Sequence, residues 1–290
     1  MNNLYNTGIR QQGLGDFAVL LLVVGVFRNA SELRHAFQEG FCLLPSAMQG
    51  PTQSNGDAES MSEPFPATHK AMKYLRILCP DNEEVPRRSS LKSAIILHYH
   101  TIGILQRVPL GELFCFCGYR VTNTDITYCE NRLKSWAQSR GREARQVAFH
   151  AGRVFATIRH SNMHGYYESR AMLVACQALW IFAATAGLSS SLDGENCVED
   201  QNGQVPSSTI RLDQALSKQA EESWLQEGER MRPCLAGVGS IMGAEGVSRL
   251  IEEGSRVLCA SSTWPLSNVL GKCLRIYYHV REGRSLKELG

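Results

Sequence analysis

No two cysteines in this chain are spaced C-x-x-C, although it carries ten of them. That absence removes the paired thiolates from which zinc fingers and ribbons are built. The stretch from Cys117 to His160 is also far too long for a two-Cys, two-His finger. Nor do the cysteines form a compact disulfide framework. Cys129, Cys176, Cys259 and Cys273 sit inside apolar helical patterns, where a free thiol behaves as a small hydrophobe, so a reducing compartment is expected.

Net charge is scarce as well: 30 Lys and Arg against 28 Asp and Glu leave +2, which argues neither for nor against a nucleic-acid partner. Long hydrophobic runs are few. "FAVLLLVVGVF" (Phe17 to Phe27) is too short to span a bilayer and lacks the basic flank of a signal peptide. "AMLVACQALWIFAATAG" (Ala171 to Gly187) is longer, but its alanines and Gln177 suit a helix buried among other helices, and no membrane partner is expected. Period-two alternation, hairpin signals, helical repeats and a heptad coiled coil that would specify a dimer are all missing. Nucleophile-elbow, phosphate-loop, zinc-protease and kinase signatures are missing too, and Ser189 to Ser191 read as loop. No catalytic, cofactor-binding or metal residue is assigned, and the chain is not expected to be an enzyme.

What remains is a succession of amphipathic segments. "SLKSAIILHYHTIGIL" is apolar and helical, and Pro109 opens a short helix through "LGELFCFCG". "TNTDITYCENRLKSWAQS" starts with capping residues and aligns Ile126, Cys129, Leu133, Trp136 and Ala137 on one face. "REARQVAFHAGRVFATIRH" puts Ala144, Val147, Ala148, Ala151, Val154, Phe155 and Ile158 on one arc, with Arg142, Arg145, Arg153 and Phe149 on the other side. Helical patterning resumes at Leu212, Leu216, Ala220 and Trp224, then at Val247, Leu250, Ile251, Val257 and Leu258. It returns at Leu266, Val269, Leu270, Cys273, Leu274 and Tyr277. The class is all-α, a multi-helix, orthogonally packed bundle. A short helix is read around Ser31 to Glu39 and breaks at Gly50 to Pro66 and Pro80 to Ser90. The chain divides into a variable N-terminal segment with a polar linker (1–66) and a helical domain (67–290) carrying an exposed loop at 187–209.

Charge is unevenly placed along this chain. Asn131 to Arg170 holds eight bases against two acids, and Leu192 to Arg230 nine acids against three bases. Neighbouring stretches of opposite sign most simply neutralise each other inside the fold, which would leave the arginine side of Arg142 to His160 as a salt-bridged or solvated face. Two chemical lures remain. Gly237, Gly239 and Gly243 in "AGVGSIMGAEG" spell G-x-G-x-x-x-G, a lure toward a dinucleotide turn; here Pro233 and the missing β-branched run make a helix-connecting loop the preferred reading. The histidine pairs His160/His164 and His98/His100 and the cysteine pair Cys115/Cys117 could ligate metal. However, the first lies where a helix ends, and two-residue spacing sends helical side chains to different faces.

The order "LHYHTIGILQRVPLGELFCFCGY", "SWAQS", "GREARQVAFHAGRVFATIRH", "YYESRAMLVACQALWIFA" resembles the regulatory domain of fungal-specific transcription factors, in the versions that accompany two-Cys, two-His zinc fingers. "RPCLAGVGSIMGAEGVSRLIEEGSRVL" and "STWPLS" are similar to that family's C-terminal portion, so the resemblance runs from about Ser90 to Tyr278. It implies a nuclear, helical regulator of transcription, often of metabolic or secondary-metabolite genes. Such a regulator acts through transcriptional proteins, a full-length relative or a small-molecule effector that favours one of two helix arrangements. Family members bind DNA through a separate N-terminal zinc module. Neither its fingers nor a six-cysteine cluster occurs here, so DNA and zinc are expected only with such a module upstream, and a truncated relative and a gene model that lost the module both stand. A standalone interaction modulator and a nucleotide-dependent oxidoreductase using Gly237, Gly239 and Gly243 are the alternative readings.

Overall fold

A computed structural model describes residues 15–28, 66–78, 90–160, 166–186, 208–260 and 265–283. The helix read at Ser31 to Glu39, the breaks before Pro66 and before Ser90, Ser189 to Ser191, His164 and positions 187–207 of the exposed loop lie outside the described residues.

Among the described residues, ten α-helices and three short strands follow in order. Helix α1 covers residues 16–28, followed by α2 (Pro66–Leu78), α3 (Ser90–Leu105), α4 (Leu110–Phe116), α5 (Asn123–Ser139), α6 (Gly141–His160) and α7 (Tyr166–Ala186). Strand β1 (Ser208–Arg211), helix α8 (Lys218–Glu227), strands β2 (Met231–Leu235) and β3 (Gly239–Ser240), α9 (Gly243–Ala260) and α10 (Pro265–Arg281) complete the fold. The all-α class stands, with a small sheet attached.

The core forms around α7. Its stretch Tyr167–Ala186 is apolar and mostly buried inside the protein. Met172, Ala175, Cys176 and Leu179 are fully enclosed, because α3, α5, α6, α9 and α10 all pack against this helix. A helix apolar on every side must be surrounded, and this one is. Alongside it, α5 begins with a capping box. Thr122 Oγ1 accepts from Asp125 N (3.3 Å), while Asp125 Oδ2 accepts from Thr122 N (2.9 Å). Cys129, Leu133 and Trp136 then bury one stripe, as their spacing predicts.

A second, smaller core joins α1 to the body. Val19, Val23 and Val26 pack with Ala71, Met72 and Leu75 of α2 and with Ile95, Ile96 and Ile102 of α3. The apolar run assigned to a variable N-terminal segment is thus, over 16–28, a helix with a buried face.

The region after residue 207 departs from the sequence reading in three places. Ser208 and Thr209, assigned to the exposed loop, begin β1. Leu212 and Leu216 precede α8 rather than lying on it, since Ser217 caps that helix by accepting from Ala220 N (3.1 Å). The segment "MRPCL" is a strand. Here β2 pairs parallel with β1, Ser208 opposite Met231 through Arg211 opposite Cys234, and antiparallel with β3. Pro233 does not prevent this, because its carbonyl carries the pairing and accepts from Ile241 N (3.1 Å). Three strands of two to five residues leave too few side chains to print an alternation in the sequence.

Candidate functional site

The arginine side of α6 is spent inside the molecule. Packing of α6 against α3, α7 and α8 buries both its apolar arc and most of the opposite face. Arg145, Phe149 and Arg153, set by sequence among the outward residues, are all buried, and only Arg142 of the three arginines stays exposed. The guanidinium of Arg145 donates from Nε (3.0 Å) and Nη2 (2.8 Å) to Leu225 O at the end of α8, and from Nη1 to Glu229 Oε1 (3.1 Å). In return, Trp224 Nε1 donates to Arg145 O (3.0 Å). A planar fork with fixed donors suits a carbonyl and a carboxylate presented side by side. Arg142 meets Glu222 at 3.2 Å, and Arg76 of α2 meets Glu221 at 2.6 Å. Two pairs, Arg142–Glu222 and Arg145–Glu229, therefore join the basic and acidic stretches at the α6–α8 contact, the sense that their juxtaposition in sequence suggests.

Gly237 lies in a hairpin turn, Gly239 opens β3 and Gly243 opens α9, which corrects the helix-connecting loop. Their φ values of 72°, 76° and 76° require glycine. A strand does precede this loop and a helix follows, but its polar groups are engaged by the protein. Ala236 N donates to Asp213 Oδ2 (2.8 Å), Val238 N to Leu235 O (3.3 Å), Ile241 N to Pro233 O and Met242 N to Ser240 Oγ (3.3 Å). On the acceptor side, Arg159 Nη1 donates to Ala236 O (2.6 Å) and Arg249 Nε to Val238 O (2.9 Å). A pyrophosphate cradle needs backbone N–H groups turned toward the ligand. Here those four serve the hairpin, and the glycines serve backbone shape. Glu253, 3.4 Å from Arg159, is held below the usual carboxylate range by its hydrogen bond to Arg256, with the Arg256 and Arg159 charges adding to the effect.

The histidines divide as two-residue spacing dictates. His98 Nδ1 lies 2.8 Å from Ala94 O, and its ring meets Tyr167. His100 turns the other way, and its Nδ1 lies 2.9 Å from Nδ1 of His150 on α6. Both rings of that pair are buried, and His150 fits because Gly103 has no Cβ, which would stand 2.6 Å from it. One nitrogen must carry the shared proton and the other accept it. Sequence reasoning named His100 but missed His150, which lay hidden in an amphipathic repeat fifty residues away.

Cys115 is half-buried, its Sγ 3.6 Å from Asp125 O, whereas Cys117 is buried. Burial pushes the Cys117 thiol up to about 12. Cys129, from α5, is also pushed up to about 12, by burial and then by the neighbouring Cys115, and its Sγ lies 3.2 Å from Glu112 Oε2. These thiols stay protonated near neutrality, and Glu112 is already paired with Arg132. Thiols held protonated in this way are poor nucleophiles. Among the described residues, no group of three or more His, Cys, Asp or Glu side chains converges on a metal-sized site. His160 closes α6, and its side chain, like His164, lies outside the described residues.

Comparison with known proteins adds a relative. The chain is 26% identical over 265 residues to a protein of Gibberella fujikuroi named "Transcription factor". The match takes in 91% of this chain and 29% of that relative, so the chain spans less than a third of the length of the curated protein it matches. No family model and no solved structure matches.

Proposed function

We propose that this chain is a helical regulatory region of a transcription factor and works in the nucleus through contacts with transcriptional proteins. The similarity to a protein named as a transcription factor, sustained over 91% of the chain, carries this reading. The fate of the arginines supports assigning it a regulatory rather than a DNA-reading part. A DNA-reading surface needs free cations aimed at phosphates, whereas Arg145 and Arg159 are committed to internal carbonyls and acids. Contact with DNA, and any zinc that serves it, would belong to a separate module. A metabolite effector acting on the helical body, and control of metabolic genes, are the finer form of the same proposal.

Fusing the chain to an unrelated DNA-binding domain upstream of a reporter tests it. A change in reporter output of fivefold or more, in either direction, is the expected result; output equal to that of the DNA-binding domain alone would overturn the reading. In a mobility-shift assay the purified chain should give only weak binding that disappears as salt rises. Tight, sequence-selective binding would instead assign it the DNA-reading role.

A further inference from the structure

Helix α10 has two apolar faces, and among the described residues only one is covered. Ser267, Gly271, Leu274 and Tyr278 are buried, most closely against α9. The small residues allow this approach: a Cβ on Gly271 would stand 2.8 Å from Cys259 Sγ and 3.1 Å from Ser255 O. The six positions read from sequence as the inward stripe include two that face outward, Leu266 (47% exposed) and Val269 (53%). With Ile276 (40%), Val280 (56%) and half-buried Cys273 they repeat at intervals of three and four, the seam spacing by which one helix receives another. At 100° per residue this seam lies nearly opposite the buried face. Scattered exposed aliphatics need no explanation, but an uninterrupted stripe along a whole helix marks an interaction surface.

The rims of the seam name the partner. Lys272 and His279 run along one flank, and α10 itself carries no acid, while Arg275 turns toward α9, its Nε donating to Ser255 Oγ (2.8 Å). On the other flank Tyr277 meets Tyr119 (6.1 Å), which is exposed, and the Arg120 guanidinium lies 5.2 Å from the Tyr119 ring centre. Arg120 has φ 53°, the only non-glycine with positive φ among the described residues, so the backbone accepts a cost to hold this turn. We propose that the seam of α10 docks an amphipathic helix with acidic flanks, contributed by a partner protein. A second copy of this chain fits less well. Antiparallel pairing sets the Lys272 rims against each other, like charge facing like.

The test uses a fluorescein-labelled peptide, three repeats of Glu-Leu-Ala-Ala-Leu-Glu-Glu, in an anisotropy titration against the full chain. A version with every Glu replaced by Lys is the control. The acidic peptide should bind saturably, with a dissociation constant on the order of 10 μM, and the lysine peptide at least tenfold more weakly. V269E and I276E, both at exposed positions, should each weaken binding at least tenfold with an unchanged circular dichroism spectrum. Lys272→Glu should weaken it severalfold and remove most of its salt dependence. The proposal falls if the acidic peptide does not bind, if the lysine peptide binds as well, or if V269E is without effect. Sedimentation showing a dimer that I276E dissociates would give the seam to a second copy and would equally overturn it.

Discussion

Arg142 and Arg145 are neighbours on α6 and both pair with acids near α8, yet their surroundings make them unequal. The Arg142–Glu222 pair is more than half exposed on both sides, where screening and side-chain entropy cancel most of the attraction. Arg145 is buried and supplies two of its donors to the Leu225 carbonyl. Truncating it strands that carbonyl and breaks the α6–α8 joint. Arg145→Ala should therefore lower unfolding stability by about 3 kcal/mol and Arg142→Ala by less than about 0.5 kcal/mol, read from urea midpoints. Arg145→Lys keeps the charge but not the fork, and should fall nearer to the alanine variant.

At the scale of elements, helix ends and close approaches decide stability. Asp125 is held below the ordinary carboxylate range, first by the Thr122 hydroxyl and then by the Thr122 backbone N–H. Because its folded-state value is depressed, its contribution is complete above about pH 4–5 and is lost as pH falls through the folded value. Asp125→Asn should melt below wild type at pH 7, and the gap should close as the buffer is taken toward pH 3. Where α9 crosses α7, a Cβ at Gly254 would overlap Cys176 Sγ. Gly254→Ala should cost about 2 kcal/mol, and adding Cys176→Ala should recover at least half of that loss. Equal losses in the single and double variants would place the strain elsewhere.

These same elements show what a sequence can reveal. Helices α3, α4 and α5 begin at or within one residue of the predicted starts, because a Pro, a Thr-x-x-Asp box and long apolar stripes are local signals. The strands and the outer face of α10 escaped because their causes are distant. Pro233 fits in β2 because its carbonyl can accept from Ile241 N beyond the turn, and Ser267 and Gly271 become the buried stripe only because α9 comes close. Residue types alone favoured Leu266 and Val269 as the inward side. Likewise, the charge imbalance foretold that the arginines of α6 would find acids, while His150 carried no signal of its own partner.

Taken whole, the molecule is stitched between its two halves as well as within each. The segment up to α7 and the segment from β1 meet through Arg145, Arg142, Arg159 and the packing of α9 and α10 on α7. Cleavage at a protease site placed between Ala186 and Ser208 should therefore leave two polypeptides that elute together on size exclusion in physiological salt. Separate elution would mean that the cross-contacts are weaker than their burial implies. Isolated surface pairs contribute little to this cohesion, and the apolar contacts of the main core hold most of it.

Trp224 sits fully enclosed at this joint, its indole nitrogen tied to the backbone of α6. That makes it an intrinsic optical gauge. With Trp136, Trp180 and Trp264 replaced by phenylalanine, its emission should stay blue while α8 rests on α6 and shift red when the two part. Any effector that loosens the joint would then announce itself in the spectrum without an added dye.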